Sequence, residues 1–280
     1  MLIAIVGAGM MGADIAQAAA LGDNDIILHD TNERTLRLAL ARASRGIDAS
    51  VGEGTLTSLA GRRAKRRFRL TTRLDHCAEA ALVLEAIPED LDQKCALLRS
   101  LEGIVGPETI LASSTNTLPI TLLAAGTRLP ERVVGLHFFA PANTMRLVEV
   151  IRCPQTRADI VDRAQELVRQ IGKTPVVVDD RPGWIVNRVA LAYFGEALHL
   201  LDNHLDVATI DRLMEAAGLG MGPFRLMDYL GVDRVFDMTR TVFEATYHAA
   251  RYRPHPRQQQ LIEAGHLGRK TGRGFYPPSS

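Results

Sequence analysis

The 280-residue chain lacks a charge excess of either sign: 33 Lys and Arg nearly cancel 32 Asp and Glu, leaving a formal net charge of +1. No global field therefore draws it to nucleic acid or to an anionic membrane, and any anionic partner has to be held locally. Cysteine is scarce too. Cys77, Cys95 and Cys153 are odd in number and widely spaced, which fits neither a disulfide framework nor a zinc site and predicts reduced thiols, no bound metal and a cytoplasmic setting. No apolar run approaches the roughly 20 residues that span a bilayer. The apolar opening, residues 1–6, is too short for a signal segment, has no basic start and runs straight into glycines.

What is present is ordinary for a folded chain, with 46% hydrophobic and 23% charged residues over a length that suits two domains. Residues 2–6 read as a strand, followed by Gly7-Ala8-Gly9-Met10-Met11-Gly12 and then by a helical stretch, 14–21. Each glycine has its own task. Gly7 permits the tight turn, Gly9 lets backbone approach a pyrophosphate, and Gly12 allows close helix packing, while the helix start, with Met10 and Met11, supplies N–H donors and a positive dipole. A second β-prone run, 25–29, ends in Asp30, about 20 residues beyond the glycines, where a carboxylate can accept both adenosine ribose hydroxyls and repel a 2′-phosphate. The glycine pattern alone is weak evidence. With its strand and its acid it predicts a dinucleotide site that prefers NAD to NADP, despite Arg34 nearby.

Further strands are expected at 82–87, 109–113, 133–139, 147–152 and 174–178, and helices at 33–50, 56–67, 89–101, 118–125 and 160–171. Such alternation argues for an α/β class with an N-terminal Rossmann-like, doubly wound, mainly parallel sheet. After Pro182-Gly183 the strand pattern stops and 184–203, 206–217, 223–230 and 232–247 carry helical periodicity. The expected organisation is thus a sheet domain, 1–181, followed by a smaller all-α domain, 182–280. Proline and glycine mark the junction.

Candidate chemistry lies in two consecutive strands, one carrying His137 and the next Glu149. Neighbouring strands about 4.8 Å apart can bring them into hydrogen-bonding reach. Such a His can take the proton of an alcohol as a nicotinamide takes the hydride, with the carboxylate fixing its tautomer. Asn187 falls on the first turn of the long helix that opens the second domain, at the expected domain junction. Its amide suits either a donor to a substrate carbonyl or catalytic side chain, or a simple helix-start role. By residue type alone, Glu89 and Lys94 read as a solvated helix start.

Taken together, the stretches 6–16, 85–94, 113–121, 132–151, 182–188, 222–231 and 268–276 resemble the L-3-hydroxyacyl-CoA dehydrogenases, including the 3-hydroxybutyryl-CoA dehydrogenases, over nearly the whole chain. The resemblance implies a short-chain L-3-hydroxyacyl-CoA substrate and NAD as cofactor. Within it His137 is general acid/base, Glu149 its partner and Asn187 a substrate-positioning residue. It assigns Asp30 to the adenosine ribose, places Glu89 and Lys94 near the nicotinamide-side ribose and phosphates with Ala86 and Ile87 alongside, and makes Ser50 a CoA contact. It also implies a homodimer through the helical domain. Three positions depart from the family pattern. Asn116 stands where a Ser that hydrogen-bonds the substrate oxygen is usual, with Thr115 and Thr117 as alternative hydroxyls. Ala140 replaces an Asn before the proline of the His motif, and Thr replaces a Lys at the CoA end, near residues 54–57. That loss opens a carrier-protein thioester as an alternative substrate, and the first two open a non-catalytic NAD-binding role. The basic run Arg62, Arg63, Lys65, Arg66 and Arg67 reads either as a site for CoA phosphates or as a solvated face.

Overall fold

The structure, a computed structural model, describes residues 1–277. The chain divides into two compact units, Met1–Asp180 and the residues from Arg181 onward. In chain order the first unit comprises β1 (Leu2–Val6), α1 (Met10–Leu21), β2 (Asp25–His29), α2 (Glu33–Gly52), α3 (Ser58–Arg66), β3 (Phe68–Thr71), β4 (Leu82–Glu85), α4 (Leu91–Glu102), β5 (Ile110–Ser113), α5 (Ile120–Ala125), β6 (Val133–Phe138), β7 (Leu147–Arg152), α6 (Ala158–Gln170) and β8 (Thr174–Asp179).

The strands form one sheet in the order β3-β2-β1-β4-β5-β6-β7-β8. Every neighbouring pair is parallel except β6 with β7, which is antiparallel. The central strands are buried along both faces, as in β4 and β6, where every residue is buried. Side chains alternate between faces, so such strands need a helical layer on each side. Ile3, Ile5, Ile26 and Leu28 pack into one core with residues of α1, α2 and α6. The chain order reverses its direction of growth between β1 and β4, which makes their carboxyl ends a topological switch point.

Two local outcomes differ from the sequence expectation. The helix after the glycines starts at Met10, directly after an extended Gly9, so Gly12 lies inside its first turn. Helix α3 ends at Arg66, and Phe68–Thr71 form an edge strand beside β2. Four residues flanked by arginines carry too little alternation to be seen in sequence. A partner strand is what makes them a strand.

The second unit is helical: α7 (Val186–Asp202), α8 (Val207–Ala216), α9 (Pro223–Leu230), α10 (Val232–Ala245) and α11 (Pro256–Glu263), the last not foreseen from periodicity. Its core joins Leu191, Phe194 and Leu198 of α7 to Phe224, Met227, Val235 and Tyr252. Asp228 accepts the backbone N–H groups of Phe275 and Tyr276 at 2.8 and 3.0 Å, which ties the end of the described chain to α9.

The glycine turn yields a stability prediction. A Cβ on Gly12 would lie 1.9 Å from the Gly7 carbonyl oxygen, whereas one on Gly9 would meet nothing within 4 Å. Gly12→Ala is expected to destabilise the first unit by about 1–3 kcal/mol, the usual cost of overpacking. Gly9→Ala should stay within about 0.5 kcal/mol of wild type, as surface changes do. Urea midpoints for the two variants check this, and equal midpoints would refute it.

Candidate active site

At the head of α1, the first intrahelical bond runs from Ala13 N–H to Gly9 O at 2.9 Å, and no side chain caps the helix. The N–H groups of Met10, Met11 and Gly12 therefore form the head of a helix that suits an anion. Gly7 holds φ +106°, and a Cβ there would stand 2.5 Å from Ala86 O and 2.9 Å from Ile87 N. The glycine turn is thus packed against the segment that leaves β4, which puts Ala86 and Ile87 along its flank. Asp30, half-buried at the end of β2, accepts Ala8 N–H on Oδ2 and Asn32 N–H on Oδ1, both at 3.0 Å. Each oxygen retains acceptor capacity for a ribose hydroxyl. Open space over Gly9, an uncapped helix start and an acid tied to the same turn together fit a dinucleotide.

Beyond β4, Glu89 organises the loop after β5. Its Oε1 accepts Thr115 Oγ1–H at 2.6 Å, Asn116 N–H at 2.9 Å, Thr117 N–H at 3.0 Å and Thr117 Oγ1–H at 3.2 Å. Asn116 is exposed and held by its backbone. Thr115 is buried and Thr117 half-buried, and both of these alternative hydroxyls donate to Glu89, that of Thr117 over the longer distance.

Lys94 does not lie on a solvated helix start. It is 1% exposed, and its ammonium donates to Glu85 Oε1 at 2.9 Å, Glu85 Oε2 at 2.7 Å and Ile87 O at 3.0 Å, with Glu89 Oε2 3.8 Å away. Glu85 was not singled out from sequence. An acid closing an apolar run carries no signal until the fold shows what it meets.

His137 and Glu149 are direct partners in the antiparallel β6–β7 pairing. Nδ1 of His137 lies 2.7 Å from Glu149 Oε2, and the side chains are 4% and 1% exposed. Glu149 has no proton to give as a carboxylate, so Nδ1 carries one and donates it, and proton transfer to another molecule falls to Nε2. The Phe139 ring stands 4.4 Å from the imidazole, centroid to centroid, and adds to its confinement.

Two further candidates lie on helices α2 and α7. Ser50, on α2, donates its hydroxyl to Gly46 O at 3.2 Å, and its carbonyl accepts Thr55 Oγ1–H at 2.9 Å. Asn187 belongs to the second unit, where it is buried on the first turn of α7. In the basic run, Lys65 pairs with Asp48 at 2.6 Å and Arg67 with Asp23 and Asp25 at 2.8 and 3.1 Å, while Arg62, Arg63 and Arg66 are exposed. Among the described residues, His199, Asp202 and His255 also converge, their ligand atoms all within 4.8 Å of one another. His255 Nδ1 accepts Arg257 N–H as a helix cap. Nε2 then carries the proton and donates to Asp202 at 3.1 Å, and that bond lowers the Asp202 pKa. The His255–Asp202 contact is thus a helix cap joined to a side-chain hydrogen bond.

Known proteins resemble the chain over both units. The family model described as 3-hydroxyacyl-CoA dehydrogenase, NAD binding domain, matches residues 2–181, and its C-terminal domain counterpart matches residues 183–277. The chain is 38% identical to the 3-hydroxyadipyl-CoA dehydrogenase of Escherichia coli K12, with 98% of this chain aligned to 58% of that protein. It is 36% identical to the probable 3-hydroxybutyryl-CoA dehydrogenase of Bacillus subtilis 168, covering 98% of this chain and 96% of that one. It spans 38% of the length of the Pseudomonas fatty acid oxidation complex alpha subunits that it also matches. Among solved structures, (S)-3-hydroxybutyryl-CoA dehydrogenase of Ralstonia eutropha superposes with a TM-score of 0.95 at 33% identity, over 100% of this chain and 99% of that one.

The Glu89 hub makes a local prediction. Glu89→Ala removes one acceptor from four donors of residues 115–117, and amide exchange at Asn116 and Thr117 should accelerate at least about tenfold with little change in the global melt. Exchange at the wild-type rate would show that the loop is held by something else.

Proposed function

The chain belongs to the 3-hydroxyacyl-CoA dehydrogenase family, and on that footing we propose that it interconverts an L-3-hydroxyacyl-CoA and the matching 3-oxoacyl-CoA with NAD, acting on short acyl chains. The observation that carries this reading is the His137–Glu149 bond, set in the sheet whose other strand ends build the dinucleotide turn. NAD, when bound, supplies the hydride acceptor. For its part, His137 Nε2 takes the proton of the 3-hydroxyl as the C3–O bond becomes a carbonyl, and returns it in the reverse direction. Glu149 holds the proton on Nδ1 and so keeps Nε2 as the exchanging nitrogen. Burial of the pair keeps bulk water from competing for that proton.

The cofactor role falls to Gly7, Gly9, Met10, Met11 and Gly12 at the pyrophosphate, to Asp30 at the adenosine ribose, and to Ala86, Ile87, Glu89 and Asn116 on the nicotinamide side, with Lys94 buried beside them and acting through its bonds to Glu85 and Ile87 O. Asn187 and Asn116 are assigned to the substrate oxygen, with Ser50 as a CoA contact, on the family likeness of their segments. Short chains are supported by relatives named for hydroxybutyryl and hydroxyadipyl thioesters. Thr in place of the CoA-end lysine keeps a carrier-protein thioester as the second reading.

His137→Gln should lower kcat at least about 100-fold, the usual weight of a positioned acid/base, while leaving the NADH dissociation constant near wild type. Acetoacetyl-CoA-dependent NADH oxidation at an unchanged rate would overturn the assignment. The same assay run with longer 3-oxoacyl-CoAs, carrier-protein thioesters and NADPH is expected to favour acetoacetyl-CoA and NADH. A higher kcat/KM on the carrier-bound thioester would select the second reading.

The working form is further proposed to be a cytoplasmic homodimer. Large apolar side chains stand exposed on the helical unit, Val189 at 66% and Leu213 at 61% among them, a pattern that suits a self-associating surface. Light scattering at micromolar concentration should give twice the 30.6 kDa chain mass. A monomer mass would refute self-association.

A further inference from the structure

Glu85 is the last residue of β4, the strand across the switch point from β1. It is 0% exposed, and its carboxylate gathers groups from three separate segments. Ile87 N–H donates from the loop that leaves β4, at 3.3 Å, and Lys94 donates from the first turn of α4 to both oxygens. Ser113 Oγ–H donates from the end of β5, and the same Ser113 oxygen accepts Thr115 N–H at 3.2 Å. The acid therefore ties α4, the β4–α4 loop and the β5 loop to one point. In a doubly wound sheet the β1-α1-β2 side holds the adenosine half of a dinucleotide, and the strands beyond the switch point hold the other half.

A buried ion pair is a poor device for stability, because removing two charges from water costs about as much as their attraction returns. Its benefit here is geometric. Lys94 uses its three N–H bonds on Glu85 and on Ile87 O, so that carbonyl is fixed from both sides: its own amide and the lysine that grips it converge on Glu85. The Lys94 ammonium also stands 3.8 Å from Glu89 Oε2, the carboxylate whose other oxygen carries the 115–117 loop.

We propose that Glu85 is a positioning residue for the nicotinamide half of the cofactor site, acting through Lys94 and Ser113 to set the Ile87 carbonyl and the loop held by Glu89. This rests on the NAD-dependent reading above. Two variants test it. Glu85→Gln with Lys94→Met removes both charges while the new amide still serves Ile87 and Ser113, so the protein keeps a cooperative melt but loses the grip on α4. Glu85→Asp keeps the charge and withdraws it by one methylene, which covers the case in which the double variant does not fold.

Titrations with NADH and with ADP separate the two halves of the site. The expected result in either variant is an ADP dissociation constant within about twofold of wild type and an NADH constant raised at least about tenfold, the loss of one charge-assisted bond. KM for NADH should rise more than kcat falls. A folded variant that binds NADH as wild type does would overturn the positioning role and leave the NAD reading intact. Wild-type protein that binds neither NADH nor NAD would overturn the NAD reading and the inference with it.

Discussion

Because β1, β2, β4, β5 and β6 run parallel, their carboxyl ends lie along one edge of the sheet, and the groups assigned to the cofactor follow those ends within a few residues. The glycine turn leaves β1, Asp30 follows β2, Ala86 to Glu89 follow β4, and residues 115–117 follow β5. Parallel strands cannot be joined by tight hairpins, so the chain must cross back between them, for most of these strands through a helix, and each new strand end adds one more loop to the same edge. The single antiparallel neighbour, β7, then brings Glu149 opposite His137 from the reverse direction. One reversal in an otherwise parallel sheet is enough to bring the imidazole and the carboxylate together.

The polar groups buried by this arrangement are satisfied in full where they matter. Glu85, Lys94 and Ser113 close on one another beneath the cofactor edge, and His137 is matched to Glu149. In a low-dielectric interior an unmatched charge would be costly, so each of these groups fixes the place of the next. Rigid placement of this kind is what the proposed hydride and proton transfer demands. The exposed charges contribute differently. The basic run through α3 is partly engaged in surface pairs, Lys65 with Asp48 and Arg67, just past the helix, with Asp23 and Asp25, of the kind that adds little to stability.

Much of this was legible in the order of residues. Glycines at 7, 9 and 12 after an apolar run, then Asp30, specify a strand, turn and helix because only glycine accepts the backbone at φ +106° and the close approach at position 12. The alternation of strand and helix, and its end near Pro182-Gly183, follows from periodicities that hydrophobic burial imposes on any chain. Even the His137–Glu149 contact was accessible, because two short strands separated by a turn have few ways to pair.

What the linear order did not reveal depends on partners distant along the chain. Phe68–Thr71 become a strand only because β2 offers an edge to pair with, and Lys94 becomes a buried clamp only because Glu85 ends the strand beneath it. Local composition determined most of the elements, the dinucleotide turn and the family of chemistry. The folded sheet decided which charges are buried, which of them meet and which loops they hold, because burial and ion pairing are properties of neighbours in space.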